Sequence, residues 1–331
     1  MSTINIDVET ITTTTSQALQ AHGAEKWIAD SVAHAVGVAE SHGNRICGLY
    51  YLESYCAQLQ TGRVQGAVEP EVSQPKPGSV KVDAKFGFAQ PAFARGLPDG
   101  IAAAKANGIA SLAICHAHTC TALGYFTEQI AAAGLIAIGM TNASACVSPP
   151  GGNKAVLGTN PIAMSVPDGQ GGMAMHFDQS TSAIALGKIT MAAAAGESIP
   201  LGWGVDAEGQ PTTDPNAVLQ GGSMVSAGGY KGYGFGLMAE ILAAAFTNGH
   251  TSRQLEPLKK PEGNPHNLGQ TYIIIDPENV SGQGFWQRLD AIKDVINAQP
   301  NARLPGSQRT PKSTVELESN VWQQALDLAG A

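Results

Sequence analysis

The run from Cys115 to Pro167 constrains this chain more than any other stretch. An apolar, strand-like approach carrying Ile109, Leu112 and Ile114 leads into it. An amphipathic helix comes next, then a second apolar strand from Leu135 to Met140. A Gly-, Pro- and Asn-rich loop spans Thr141 to Asn160, and a third strand-like run begins at Pro161. Polar residues therefore gather where the first strand ends. Small-molecule sites in α/β proteins sit at such strand ends, so the pattern predicts an α/β enzyme with this run as a wall of its active site.

Composition narrows the class. A chain of 331 residues holds one large or two ordinary domains, each with a real core. A formal charge of −8 leaves no basic field to displace phosphate counterions, which argues against a nucleic-acid partner. No apolar run is long enough to span a membrane, and the opening MSTINIDVET lacks a basic, then apolar, leader. Five irregularly spaced cysteines read as free thiols in a reducing compartment. The expectation is a soluble, cytoplasmic protein without a membrane partner.

Residues 7 to 42 read as two helices parted at His22-Gly23, and a third helix fits Leu49 to Leu59. Residues 67 to 89, with Pro75 and Pro77, read as edge strands or a loop, and Gln90 to Asn107 as an Ala-rich helix. Ala183 to Ala195 fits a helix or irregular arm. Leu237 to Phe246 is apolar enough to predict a buried helix, and Tyr272 to Ile275 a buried strand. Trp286 to Ala298 and Val315 to Leu328 read as surface helices. The expected division is an N-terminal helical unit, 1–107, completed by 278–331, around a central α/β unit, 108–277.

The densest group of soft ligands is Cys115-His116-Ala117-His118-Thr119-Cys120. A continuing strand would put His116, His118 and Cys120 on one face, where zinc or copper could be held. No Cys-x-x-Cys or His-Glu-x-x-His accompanies them, so a metal, and with it a metal-dependent hydrolase, is disfavoured. A satisfied core histidine and a strand end facing cofactor or substrate remain, the latter because a histidine there can donate a proton near neutral pH. Gly234-Phe235-Gly236-Leu237-Met238-Ala239 matches G-x-G-x-x-A, but the preceding residues are not strand-like, so a Rossmann fingerprint is rejected. The glycines still permit a close backbone approach, with Lys231 beside it, where a phosphate could sit. Ser41-His42-Gly43 invites a Ser/His dyad without an orienting acid, and G-x-S-x-G is absent. Thr159 and Asn160 form a turn whose side chains could bond a carboxylate, and Asp178 reads as an acid/base or a turn cap.

Taken in order, further segments add up to a recognisable series. They are Ala122 to Gln129, Pro150-Gly151-Gly152, Leu157 to Ala163, Ala185 to Lys188 and Ile199-Pro200 with Gly202-Trp203. Pro211 to Pro215, Gly228 to Gly234 and Arg303 to Gly306 complete it. Over nearly its whole length the chain resembles the type-2 malate/L-lactate dehydrogenase family. That family also holds L-sulfolactate, ureidoglycolate and diketogulonate enzymes and the reductases of cyclic Δ1-imino acids.

The resemblance implies a non-Rossmann nicotinamide-binding α/β fold of the L-sulfolactate dehydrogenase-like type, working as a homodimer. It implies NAD or NADP lying along His118, Thr119, Cys120, Thr121 and Ala122, along Asp178, Gln179 and Ser180, along Gly229, Tyr230 and Lys231, and along Arg303, Pro305 and Gly306. It implies that Thr159 touches the substrate. The reaction implied is hydride transfer to or from C2 of a small 2-oxo/2-hydroxy acid or a cyclic Δ1-imino-2-carboxylate. The family's Ser-His-Gly-x-x-Arg motif, with its proton-donating His and carboxylate-clamping Arg, is altered here. Arg45 falls one residue too early after Ser41-His42-Gly43. The ungapped register instead puts Ile46-Cys47-Gly48 on Ser-His-Gly and Tyr51 on Arg. Thr119 falls where His is common, and Lys188 or a neighbour where the imino-acid reductases carry Asp. The catalytic candidates are thus His118 and Cys47, with Tyr51 and Thr159 on the substrate. The alternative is a cofactor-binding relative that has lost its donor.

Overall fold

The computed structural model describes residues 2–330. The chain opens with strand β1 (Thr3–Asp7), helices α1 (Val8–Ala21), α2 (Lys26–Ser41) and α3 (Leu52–Thr61), and strands β2 (Glu71–Lys76) and β3 (Ser79–Asp83). It continues through α4 (Ala89–Asn107), β4 (Ile109–Ala117), α5 (Gly124–Ala132), β5 (Ile136–Thr141), β6 (Ile162–Pro167) and β7 (Met173–Gln179). A third stretch holds α6 (Leu186–Ala195), β8 (Gly204–Val205), α7 (Pro215–Leu219), β9 (Ser223–Met224) and α8 (Tyr230–Glu240). The last elements are β10 (Leu268–Ile275), α9 (Glu278–Ser281), α10 (Gly284–Asn297), β11 (Thr314–Glu318) and α11 (Ser319–Ala329).

Seven strands form one mixed sheet in the order β2-β3-β4-β10-β5-β6-β7. Among the described residues β3–β4 is its only parallel pair. Strand β10 runs down the middle, pairing Tyr272 with Leu112 on one side and with Gly139 on the other. Tyr272 and Ile274, on the same face of the strand, are fully buried. Around it Leu112, Ile114, Phe93, Phe126 and Ile130 pack as one core.

The termini close a second core. β1 pairs antiparallel with β11, Thr3 opposite Glu318 and Asp7 opposite Thr314. Ile11, Leu19, Ile28, Val32 and Leu52 then pack against Leu317 and Trp322. Each fully buried aliphatic side chain here contributes about 1.5–3 kcal/mol, so joining the two ends of the chain is a matter of shared apolar area. A third, smaller cluster joins Val147, Leu157, Ile189, Ile199, Val218 and Met224.

Four expectations need correcting. The sheet crosses the boundary drawn at residue 107, because β2, β3 and the covering helix α4 belong to it, and β3 is interior rather than an edge. In 278–331 the terminal core takes residues from β11 and α11, whereas α10 buries none of its side chains fully. Residues 314–318 are strand rather than helix, since alternating Val315 and Leu317 face that core. The segment Leu237 to Phe246 is not buried: Leu237 is 40% exposed, Ile241 52% and Phe246 53%. Its inward face is small instead. Ala239, Ala243 and Ala244 are buried, and a side chain on Gly269 of β10 would lie 1.9 Å from the Ala243 carbonyl oxygen. The helix therefore packs by close backbone approach and turns its large apolar residues outward.

Candidate active site

Three loops meet at the start of α5. Strand β4 stops at Ala117, and His116 already has φ +50, a left-handed backbone that takes the chain out of the pleat. The single face expected for His116, His118 and Cys120 is therefore not formed. His116 Nδ1 lies 2.9 Å from Asp83 Oδ1 instead, and among the described residues no three His, Cys, Asp or Glu side chains gather as metal ligands would. At the end of β7, Asp178 accepts the Gly124 N–H at 2.8 Å. Gly124 has no room for a side chain, since a Cβ would sit 2.6 Å from His176 Cε1. The third loop docks on the same strand: Pro305 O accepts the His176 N–H at 3.0 Å, and Gly306 has φ +80 with its missing Cβ 2.8 Å from the His176 carbonyl oxygen. Residues 118–122, 178–180 and 303–306 are thereby brought together.

Thr181 ties the remaining two segments to these. Its N–H donates to Thr159 O at 2.9 Å, and its hydroxyl lies 3.1 Å from both Thr159 O and Asn160 O. Its carbonyl accepts the N–H of Ala227, the residue just before the Gly228-Gly229 turn that opens α8, at 2.9 Å. Both glycines adopt positive φ, +66 and +65, and a Cβ on either would meet nothing within 4 Å. No side chain caps this helix, and Lys231 sits in its first turn. Gly234 and Gly236 lie inside α8, with no strand leading directly into them.

Ser41-His42-Gly43 is a helix stop. Ser41 ends α2, His42 caps it and Gly43 has φ +73. Two tight turns, Arg45–Cys47 and Leu49–Tyr51, then lead into α3. Glu40, 2% exposed, fixes them by accepting the Leu49 N–H at 2.8 Å, and Gly48 must be glycine because a Cβ would fall 2.0 Å from Glu40 Oε1. Burial, together with the nearby Asp178 charge, pushes the Cys47 thiol up to about 12. Tyr51 stacks on Tyr55 at 6.2 Å, and burial raises its phenol. Asp178 remains open to water at the rim. Crowding by the surrounding protein still holds its carboxyl above the usual carboxylate range, against the Gly124 and Leu123 amides that favour the charged form.

His118 is enclosed. It is 1% exposed, with the rings of Tyr55, Phe88 and His266 at 5.6, 5.3 and 4.6 Å. Gln58 Nε2 donates to Leu258 O and Lys260 O, so Gln58 Oε1 is free to accept, and His118 Nε2–H donates to it at 2.7 Å. Burial first, then His266 and Arg63, hold the imidazole well below its ordinary pKa. The role of proton donor near neutral pH therefore does not fall to His118 as an imidazolium, since that cation would have to form out of water and beside the Arg63 charge.

Thr119, Thr121, Ala122, Ser180 and Thr159 are half-buried, whereas Gln179, Tyr230, Lys231 and Arg303 are exposed, Arg303 Nη1 lying 2.7 Å from Gln308 Oε1. Lys188 is exposed on α6. Sequence reasoning passed over Thr181, Glu240 and Ser252. Glu240 bonds Asn160 from 80 residues away, and nothing local marks such a partner.

A family model described as malate/L-lactate dehydrogenase matches residues 6–324. A Δ1-pyrroline-2-carboxylate/Δ1-piperideine-2-carboxylate reductase of Pseudomonas putida is 39% identical over 311 residues, covering 94% of this chain and 91% of the relative. A (2R)-3-sulfolactate dehydrogenase (NADP(+)) of Chromohalobacter salexigens is 38% identical, covering 88% and 86%. Among solved structures, the Δ1-piperideine-2-carboxylate reductase of Pseudomonas syringae superposes with a TM-score of 0.88 at 32% identity, covering 98% of this chain and 99% of the other. The sulfolactate dehydrogenase of Methanocaldococcus jannaschii gives 0.89 at 27% identity, covering 99% and 97%. The match spans both cores and every loop of the site, and the chain belongs to the malate/L-lactate dehydrogenase family.

Proposed function

We propose that this NAD(P)H-dependent oxidoreductase reduces the C=N bond of a small cyclic Δ1-imino-2-carboxylate in preference to the C=O bond of a 2-oxo acid. The carrying observation is the acidity of the candidate donors. The Cys47 thiol is pushed up to about 12, and His118 is sealed and neutral. A ketone must receive a proton on oxygen as hydride arrives on carbon. A cyclic imine is basic enough to arrive already protonated, and hydride addition to that iminium gives the neutral amine with no proton taken from the protein. Burial, with the Asp178 charge adding to it, keeps Cys47 protonated, and the same charge favours a cationic iminium. Family membership and a 39% identical imine reductase support the reading.

The residues fit a dinucleotide. Gly228 and Gly229 leave an open cradle at an uncapped helix start, a setting suited to phosphate, with Lys231 adjacent. Half-buried Thr119, Thr121 and Ala122, with residues 178–180, Tyr230 and the 303–306 loop, would hold the rest. The bound cofactor supplies the hydride. Thr159 binds the substrate carboxylate, and Tyr51 walls that side. A sheet with one parallel pair supports a non-Rossmann mode of binding. Phe235, Ile241 and Phe246, more than half exposed on and after α8, support a homodimer, and five unpaired thiols suit the cytoplasm.

Steady-state rates with NADPH and NADH on five- and six-membered cyclic imino acids, against 2-oxo acids of the same size, test this. The imines should lead by at least about 100-fold in kcat/KM, in line with the value of a missing general acid. Faster 2-oxo acid reduction overturns the preference, and cofactor binding without any turnover overturns the activity.

A further inference from the structure

The network behind Thr159 points further. Glu240, the last residue of α8, is 9% exposed, and donors surround its carboxylate. Oε2 accepts from Asn160 Nδ2 at 2.7 Å and from the Ser252 hydroxyl at 2.6 Å, while Oε1 accepts the Ser252 N–H at 2.6 Å. Asn160 is fully buried, and its backbone has φ +34, a left-handed conformation that asparagine accepts more readily than other L residues and that its hydrogen bonds hold in place. Its side chain has no freedom to turn over. Nδ2 also donates to Gly236 O at 3.1 Å, and Oδ1 accepts the Ala143 N–H at 3.3 Å. Ser252 Oγ in turn accepts the Gly158 N–H at 3.0 Å. The residues on both sides of Thr159 are thus fastened, directly or through Ser252, to one carboxylate.

We infer that Glu240 is a positioning residue for the substrate: by holding Asn160 in its left-handed conformation and Gly158 through Ser252, it aims Thr159 at the substrate carboxylate. This rests on the reading that Thr159 binds that carboxylate. Glu240→Gln keeps size and shape but points an N–H₂ group at a donor, either Asn160 Nδ2 or Ser252, and the segment around Thr159 loses its anchor.

The test is steady-state kinetics of Glu240→Gln with a cyclic imino acid, alongside calorimetric binding of NADPH and of a cyclic amino acid product in the presence of NADP+. The expected result is an imino-acid KM raised at least tenfold, product affinity weakened equally, kcat within about threefold and NADPH affinity within about twofold. The reversed pair Glu240→Gln with Asn160→Asp restores a donor facing an acceptor and should recover most of the KM. An unchanged KM, or an NADPH affinity that falls in step with it, overturns the inference, the second because it marks general loosening. Should Glu240→Gln fail to fold, Ser252→Ala removes the hydroxyl that joins Gly158 to Glu240, together with its 3.3 Å contact to Asn160 Oδ1, keeps the direct Glu240–Asn160 bond and should raise KM about threefold; no rise overturns the inference equally. Wild-type protein that neither turns over nor binds any imino acid sinks the functional reading itself, whereas wild-type activity with a normal Glu240→Gln sinks only the role of Glu240.

Discussion

Removing the thiol of Cys47 separates the two kinds of substrate. With the group pushed up to about 12, its thiolate fraction at pH 7 is about 10⁻⁵, and it is an acid weaker than an ordinary imidazolium by roughly five powers of ten. A well-tuned general acid is worth about 10²–10⁴ in rate. If the imine carries its own proton, Cys47→Ala forfeits none of that, and kcat should stay within about threefold of wild type. Cys47→His places an imidazole beside Asp178, which favours its protonated form, and should raise 2-oxo acid reduction by about 10²-fold while barely moving imine reduction. The assay is oxidation of the reduced nicotinamide across pH 6 to 9, with cofactor affinity measured separately for each variant. A loss of 100-fold or more in imine reduction by Cys47→Ala, at unchanged cofactor affinity, would refute the reasoning and make the thiol the donor.

Three other outcomes follow from the packing. Burial and Arg63 hold His266 down at about 4, below the unfolded value of 6.5, so the unfolded chain binds its proton first and stability falls as pH drops through that window; denaturation at pH 7 and pH 5 should show about 2 kcal/mol lost through this residue, and His266→Gln should remove that part of the slope. Gly306→Ala meets a φ of +80 and a contact 2.8 Å from the His176 backbone, so it should cost about 1–3 kcal/mol and weaken NADPH binding, read by calorimetry; normal affinity would separate this loop from the cofactor. Ile241→Glu puts a charge on the exposed apolar face after α8 and should turn a dimer into a monomer in sedimentation velocity, whereas a wild-type monomer would refute the dimer outright.

Much of the fold was legible because it is local. The breaks at His22-Gly23 and Gly108 and the strand–helix–strand run after Ile109 are written in residues a few positions apart. The exposed face of Leu237 to Phe246 was not, because hydropathy responds equally to a core and to an interface, and only the alanines packed on β10 show which side is inward. Nor could alternation foresee the positive φ of His116 near the end of β4, which resets which way the following side chains point.

By itself the sequence determined the family and the class of chemistry, and it offered Cys47 and Tyr51 as the residues standing at the motif's His and Arg. Only the tertiary structure decided what those residues can do. It sealed His118 among three aromatic and imidazole rings, set Cys47 beside Asp178, and joined Asn160 to Glu240. Acidity and aim depend on burial and on partners distant in the chain, and neither quantity exists until the loops have met.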